Sequence, residues 1–109
     1  MKEFMLAFRH AVESTPTEEQ IAGMMKDWDN WIGGIAAQGK LAPGGKRLAQ
    51  GGKVLSTSGI ITDGPYVELK EQLSGFIMVT ASGMDEAVTL AHGCPILMVG
   101  GNVEIRQIA

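Results

Sequence analysis

From Gly75 to Ala81 the chain reads Gly-Phe-Ile-Met-Val-Thr-Ala, and a strand built from it carries apolar side chains on both faces. Phe76 and Met78, with Thr80, fall on one face, and Ile77, Val79 and Ala81 on the other. Such a strand belongs in the middle of a sheet whose two faces are both covered. Phe4-Met5-Leu6-Ala7-Phe8, bounded by Lys2-Glu3 and Arg9-His10, has the same character. The 109 residues are the size of one domain, 1–109, so a single small chain has to find cover for both faces.

Two helices are legible. Around Ser14-Thr15-Pro16-Thr17-Glu18, Thr15 stands as an N-cap, Pro16 at the first helical position and Glu18 three residues after the cap, so two orphan backbone donors are satisfied reciprocally. Ile21, Met24, Met25, Trp28, Ile32 and Ile35 then follow a three-and-four spacing, with Trp31 at the border of the stripe. Gly39 is the expected stop. Gly33-Gly34 cost about 1 kcal/mol each inside a helix, which points to a bend or a close backbone contact. The second helix is expected to open with a capping box from Ser82 to Asp85, bury Met84, Ala87, Val88 and Ala91, and end at Gly93 before Pro95. Between the first helix and Thr62, two strands are expected on either side of a Gly51-Gly52 hairpin, and Asn102 to Ile108 reads as the final strand.

Strand, long helix, two strands, strand, short helix, strand is the split strand-helix-strand plan of a ferredoxin-like α+β fold: an antiparallel sheet with two helices on one face. The other face of the sheet is apolar too, and the chain has no further element to hide it. Packing against a second copy resolves this, so a homodimer is expected.

Nine basic and twelve acidic residues give a net charge of −3, which lacks the basic footprint of direct nucleic-acid binding. Apolar runs of about five residues fall far short of a membrane span, and the N-terminus has no basic segment followed by an apolar core, so a cytoplasmic location is expected. No cofactor or metal is expected. Gly44-Gly45-Lys46 lacks the spacing of a phosphate loop, with Arg47 where Ser or Thr should stand. A lone Cys94 cannot form an internal disulfide, and His10 and His92 are not spaced as a ligand pair. His92, in the last turn of the short helix, faces carbonyl ends that favour positive charge. The seven methionines fall mostly on expected core faces.

The run Asp63-Gly64-Pro65-Tyr66, followed by Glu68 and Lys70-Glu71, is where chemistry is most easily imagined. Asp63 becomes a general base where desolvation raises its pKa, yet Asp before Gly-Pro also makes an Asx-turn. Tyr66 offers a hydrogen bond to a ligand carbonyl, or is a half-buried aromatic with one wet end. Glu68 and its charged neighbours orient a ligand, or are a solvated turn. Arg9 and His10, at the end of the first strand, form a cationic pair suited to an anionic small molecule.

Asp63-Gly64-Pro65-Tyr66-Val67-Glu68-Leu69-Lys70-Glu71-Gln72-Leu73-Ser74-Gly75-Phe76 resembles the DGPF group of the YCII-related domain family, with looser similarity at Met84-Asp85-Glu86-Ala87, Cys94-Pro95 and Glu104-Ile105-Arg106. The resemblance implies a ferredoxin-like dimeric α/β barrel and points to the DGPF motif, with Asp63 and Tyr66 as candidate catalytic residues; Gly64, Pro65 and Trp28 join Arg9, His10 and Glu68, singled out above from placement and charge, as candidate ligand contacts. Tyr66 stands where Phe is usual. The acid/base pair proposed for the YCII branch, a His on the first helix and an Asp preceding Pro, falls on Trp28 and Cys94, which cannot reproduce it. Relatives of this kind also occur beside sigma-factor-like regulators. Two functions stay open: a small dimeric enzyme using acid/base chemistry on a small acidic metabolite, and a non-catalytic ligand-binding or protein-interaction module.

Overall fold

Six strands and two α-helices follow the expected alternation with one strand more than expected, three and not two lying between the long helix and the strand that precedes the short helix, in a computed structural model that describes residues 1–11, 17–49, 51–63 and 71–109. Strand β1 (Lys2–Ala11) and β5 (Glu71–Ala81) pair antiparallel at the centre of a four-stranded sheet of order β2-β5-β1-β6, with β2 (Leu41–Arg47) and β6 (Asn102–Gln107) at the edges. Both apolar runs are therefore central, as their two-sided character requires. Phe4 lies opposite Val79 and Leu6 opposite Ile77, on the face that packs against the helices; Met5 lies opposite Met78 and Ala7 opposite Phe76, on the other. The chain is α+β and ferredoxin-like, with α1 (Glu18–Ala37) and α2 (Met84–Ala91) on one side of the sheet.

The core lies between helices and sheet. Phe4, Leu6, Phe8, Ile77, Val79 and Ala81 meet Ile35, Ala87, Leu90, Ala91, Cys94 and Ile96, with Trp28, Trp31, Ile32, Val103 and Ile105 packed around them. A 3-10 turn over Pro95–Val99, with Pro95 at its first position, carries the chain from α2 to β6.

Several local details differ from the sequence expectation. Helix α1 is capped by Thr17, not Thr15: Gln20 N–H donates to Thr17 Oγ1 (3.2 Å) while Thr17 N–H donates to Gln20 Oε1 (2.9 Å). Thr17 to Gln20 satisfies the same reciprocal box two residues further along the chain; Thr15 and Pro16 lie outside the described residues. Only the second half of α1 reaches the core, leaving Ile21 and Met25 exposed. The helix runs unbroken through Gly33-Gly34, where an added Cβ would meet nothing within 4 Å. Gly39, at φ 71°, follows its end as expected.

The hairpin is displaced as well. Strand β2 pairs with β5 in the main sheet, whereas β3 (Lys53–Leu55) pairs with β4 (Ile61–Asp63) in a separate two-stranded sheet. Its turn lies at Ser56–Ile60, closed by Ser56 N–H to Ile60 O (2.9 Å) with Gly59 at φ 82°. Gly51-Gly52 is the connection into the hairpin and not its turn. At α2 the N-cap is Gly83 with no side-chain cap; instead Ser82 N–H donates to Glu86 Oε1 (3.1 Å). The buried stripe of α2 is Ala87, Leu90 and Ala91, while Met84 and Val88 stay exposed. None of the seven methionines is in the buried core: Met5, Met24 and Met78 are half-buried, and Met1, Met25, Met84 and Met98 are exposed. Aromatic, leucine, β-branched and small residues fill the helix-to-sheet space, leaving methionine to the surfaces where shape is less defined.

Candidate functional site

Strand alternation separates Arg9 from His10 and sends them to opposite faces of β1. His10 shares the helix-side face with Phe8, whose ring meets Trp28 edge-on at 4.7 Å and Trp31 at 5.8 Å. Trp28 and Trp31, three residues apart on α1, meet each other edge-on at 5.6 Å. Trp31 is fixed further by its Nε1–H, which donates to the Leu90 carbonyl at 2.9 Å and ties α1 to α2. Trp28 is thus half-buried against the core edge, beside the end of β1 that carries His10.

Arg9 points to the helix-free face. Its guanidinium donates to Glu104 Oε1 at 2.7 Å, and Arg106 reaches the same carboxylate from two residues along β6, at 3.4 Å. Alternation along β6 puts Glu104 and Arg106 on one face, and Glu104 lies opposite Ala7. The two guanidiniums hold the Glu104 carboxyl below its ordinary range, Arg106 through its hydrogen bond and Arg9 through its charge. Two cations share one carboxylate, which leaves a net positive charge, and the Arg106 side chain keeps 67% of its surface in water.

Next to this triad the centre of the helix-free face is apolar, with Lys46 of β2 opposite Phe76 and Glu3 opposite Thr80 at its borders. Met5, Ala7, Phe76 and Met78 form its centre, with Ala42 of β2 opposite Met78. Ala7 is buried under its larger neighbours, while Met5, Phe76 and Met78 are only half-buried. Gly75, at φ 158°, lets β2 close on β5 here: an added Cβ would stand 2.7 Å from the Lys46 carbonyl oxygen.

Asp63 ends β4 on the small hairpin. Its side chain is 88% exposed and accepts a hydrogen bond from Lys53 Nζ at 2.8 Å, directly across the strand pair. Gly64, Pro65, Tyr66 and Glu68 lie outside the described residues. Cys94, where the YCII branch has an acid, is buried, and burial pushes its thiol pKa up to about 11. No group of three or more His, Cys, Asp or Glu side chains among the described residues is placed to hold a metal ion. No helix among them is long and apolar enough to cross a membrane.

The structure therefore brings Phe8 and Trp28 together on the helix side, the side to which alternation also assigns His10, and Arg9, Glu104 and Arg106 on the other. It leaves Asp63 on the hairpin, in an ion pair with Lys53. Glu104, Arg106 and Lys53 were not among the residues expected from sequence to form a site. The first two were readable in principle, because a Glu-x-Arg spacing on an edge strand places both side chains on one face beside Arg9.

Comparison with known proteins agrees with this architecture. An uncharacterized protein of Rhizobium meliloti (strain 1021) is 37% identical over 51 residues, which is 46% of this chain and 41% of that protein. The chain thus spans less than half the length of this relative. The YCII-related domain matches residues 4–109, nearly every residue from β1 to the C-terminus, and the chain belongs to the YCII-related domain family.

Proposed function

We propose that the protein works as a homodimeric ligand-binding module for a small acidic molecule, with the helix-free faces of two sheets packed together and the ligand held at the rim of that contact by Arg9 and Arg106. The carrying observation is the apolar face of Met5, Ala7, Phe76 and Met78, which no helix among the described residues covers. Half-buried Phe and Met side chains in a row favour association, since covering the apolar surface each still exposes is favourable at about 25 cal/mol per Å². Two such faces meeting make a core roughly 10 Å thick.

The net positive triad at the edge of this patch gives the ligand its sign. Arg106 has exposed guanidinium donors, and a planar fork suits a carboxylate or a phosphate. Asp63 belongs to this reading as the partner of Lys53. A base poised near neutrality is a desolvated carboxylate, and Asp63 is hydrated and ion-paired. Acid/base catalysis on the bound acid is the rival reading, and nothing in the placement of Asp63 favours it.

Titration calorimetry with a panel of small mono- and dicarboxylates and inorganic phosphate tests the reading. Binding to the wild-type dimer that weakens about tenfold or more in Arg106→Gln is expected, since a charge-assisted hydrogen bond is worth roughly 1.5–3 kcal/mol. Equal binding by both proteins, or binding by neither, refutes the ligand site. Turnover lost in Asp63→Asn with fold and dimer intact would establish the rival.

A further inference from the structure

The β3–β4 hairpin forms a two-stranded sheet of its own, apart from the four-stranded sheet. Leu55 is 69% exposed and Ile60 and Ile61 each 61%, and Leu55 and Ile61 are cross-strand partners, so they share one face. An isolated two-stranded hairpin is marginal in water at best, and one with an exposed aliphatic face asks for cover. The molecule extends 43 × 38 × 20 Å with a radius of gyration of 15.0 Å, against about 13 Å for a compact chain of this length.

A second exposed apolar group lies on the 3-10 turn, where Leu97 is 44%, Met98 81% and Val99 48% exposed. The register places both groups at the same end of the sheet. Strand β2 leaves the sheet toward the hairpin at Arg47, opposite Gly75 near the start of β5, and β6 enters from the 3-10 turn at Asn102, opposite Arg9 near the end of β1. They are on opposite edges, because the strand order is β2-β5-β1-β6. Three strand spacings, roughly 14 Å, separate the edges, and both groups are exposed within the single chain.

We infer that the hairpin is a clasp that closes on the 3-10 turn of a second copy. A twofold axis running along the strands between two face-to-face sheets keeps both copies' ends together and exchanges their edges. The β2 edge of one copy then lies over the β6 edge of the other, and Leu55, Ile60 and Ile61 of each arm meet Leu97, Met98 and Val99 of the second copy. A twofold axis across the strands would send the two groups to opposite ends.

Area favours the same occupant. Four strands about 4.8 Å apart and about six residues long present roughly 400 Å² of face, about half of the roughly 800 Å² per partner of a stable interface. Two reciprocal arms, continuous with that face, supply the difference.

The inference rests on the sheet-to-sheet dimer, and a cross-link separates the two claims. In the variant Ile61→Cys/Met98→Cys, mild oxidation is expected to give a covalent dimer on a non-reducing gel, and neither single variant should do so. A disulfide needs the two Cα atoms within about 7 Å, and one formed inside a single chain would run as a monomer on the same gel. A dimer by sedimentation that does not cross-link overturns the clasp and leaves the sheet contact standing; a monomer at all concentrations overturns both. Leu55→Ser/Ile61→Ser is expected to raise the dimer dissociation constant tenfold or more, and an unchanged constant overturns the clasp.

Discussion

Gly93→Ala tests how tightly the two helices are locked through Trp31. An ideal Cβ at Gly93 would stand 2.8 Å from Trp31 Cδ1 and 3.2 Å from Nε1. Ordinary carbon–carbon contact begins near 3.5 Å, so the ring has to retreat by roughly 0.7 Å. It has little room to do so: Phe8 and Trp28 hold it edge-on at 5.8 and 5.6 Å, and its Nε1–H is bonded to Leu90 O at 2.9 Å. Retreat stretches that hydrogen bond, worth about 0.5–1.5 kcal/mol, and disturbs a packed edge, which adds about 1–3 kcal/mol. A loss of about 2–3 kcal/mol is expected. Urea unfolding followed by tryptophan fluorescence, at one fixed protein concentration so that the proposed association contributes equally to every sample, measures it. Trp31→Phe removes the donor and part of the clash, so adding Gly93→Ala to it should cost much less than Gly93→Ala alone. A single variant within 0.5 kcal/mol of wild type, or strictly additive effects, refutes the reasoning.

Other outcomes follow from the core and its rim. Leu6→Ala, at a fully buried position facing Ile77, is expected to lose about 2–5 kcal/mol in the same urea assay; a loss under 1 kcal/mol contradicts the placement of β1. Cys94, with its thiol pKa raised to about 11 by burial, should react with a disulfide reagent at pH 8 about a hundredfold or more slowly in the native protein than in urea, and equal rates would show an open thiol. Because Arg106 and Arg9 depress the folded-state pKa of Glu104, its stabilisation is complete above its ordinary value of 4.5 and is lost as pH falls through the lower folded value. Thermal melts below about pH 5 should therefore decline more steeply for wild type than for Glu104→Gln, and parallel profiles would show that the triad does not form.

Strand alternation carried most of the fold. Phe4 to Phe8 and Phe76 to Ala81 stated which residues share a face before any pairing was known, and their two-sided apolar character put both strands at the centre, though not which strands flank them. Turns and caps were less legible, because equivalent chemistry recurs at short intervals: Thr17 competes with Thr15 as a cap, and Gly59 with Gly51-Gly52 as the hairpin turn. That displacement matters for the site. With the turn at Ser56–Ile60, Lys53 falls opposite Asp63, an ion pair that no local pattern around Asp63 discloses. The Arg9–Glu104 contact spans 95 positions and depends on β1 and β6 being neighbours, which is a property of topology. Methionine gave the wrong signal for burial because its hydropathy suits core and half-covered surface alike.

The central claim is that two copies cover each other's helix-free sheet face, and sedimentation equilibrium of wild type and Met78→Glu over a wide concentration range tests it most directly. The account predicts a wild-type dimer and a folded Met78→Glu monomer, since a carboxylate opposite Met5 would be buried unpaired in the contact. A wild-type protein that stays monomeric, or a Met78→Glu variant that dimerises as tightly as wild type, contradicts it.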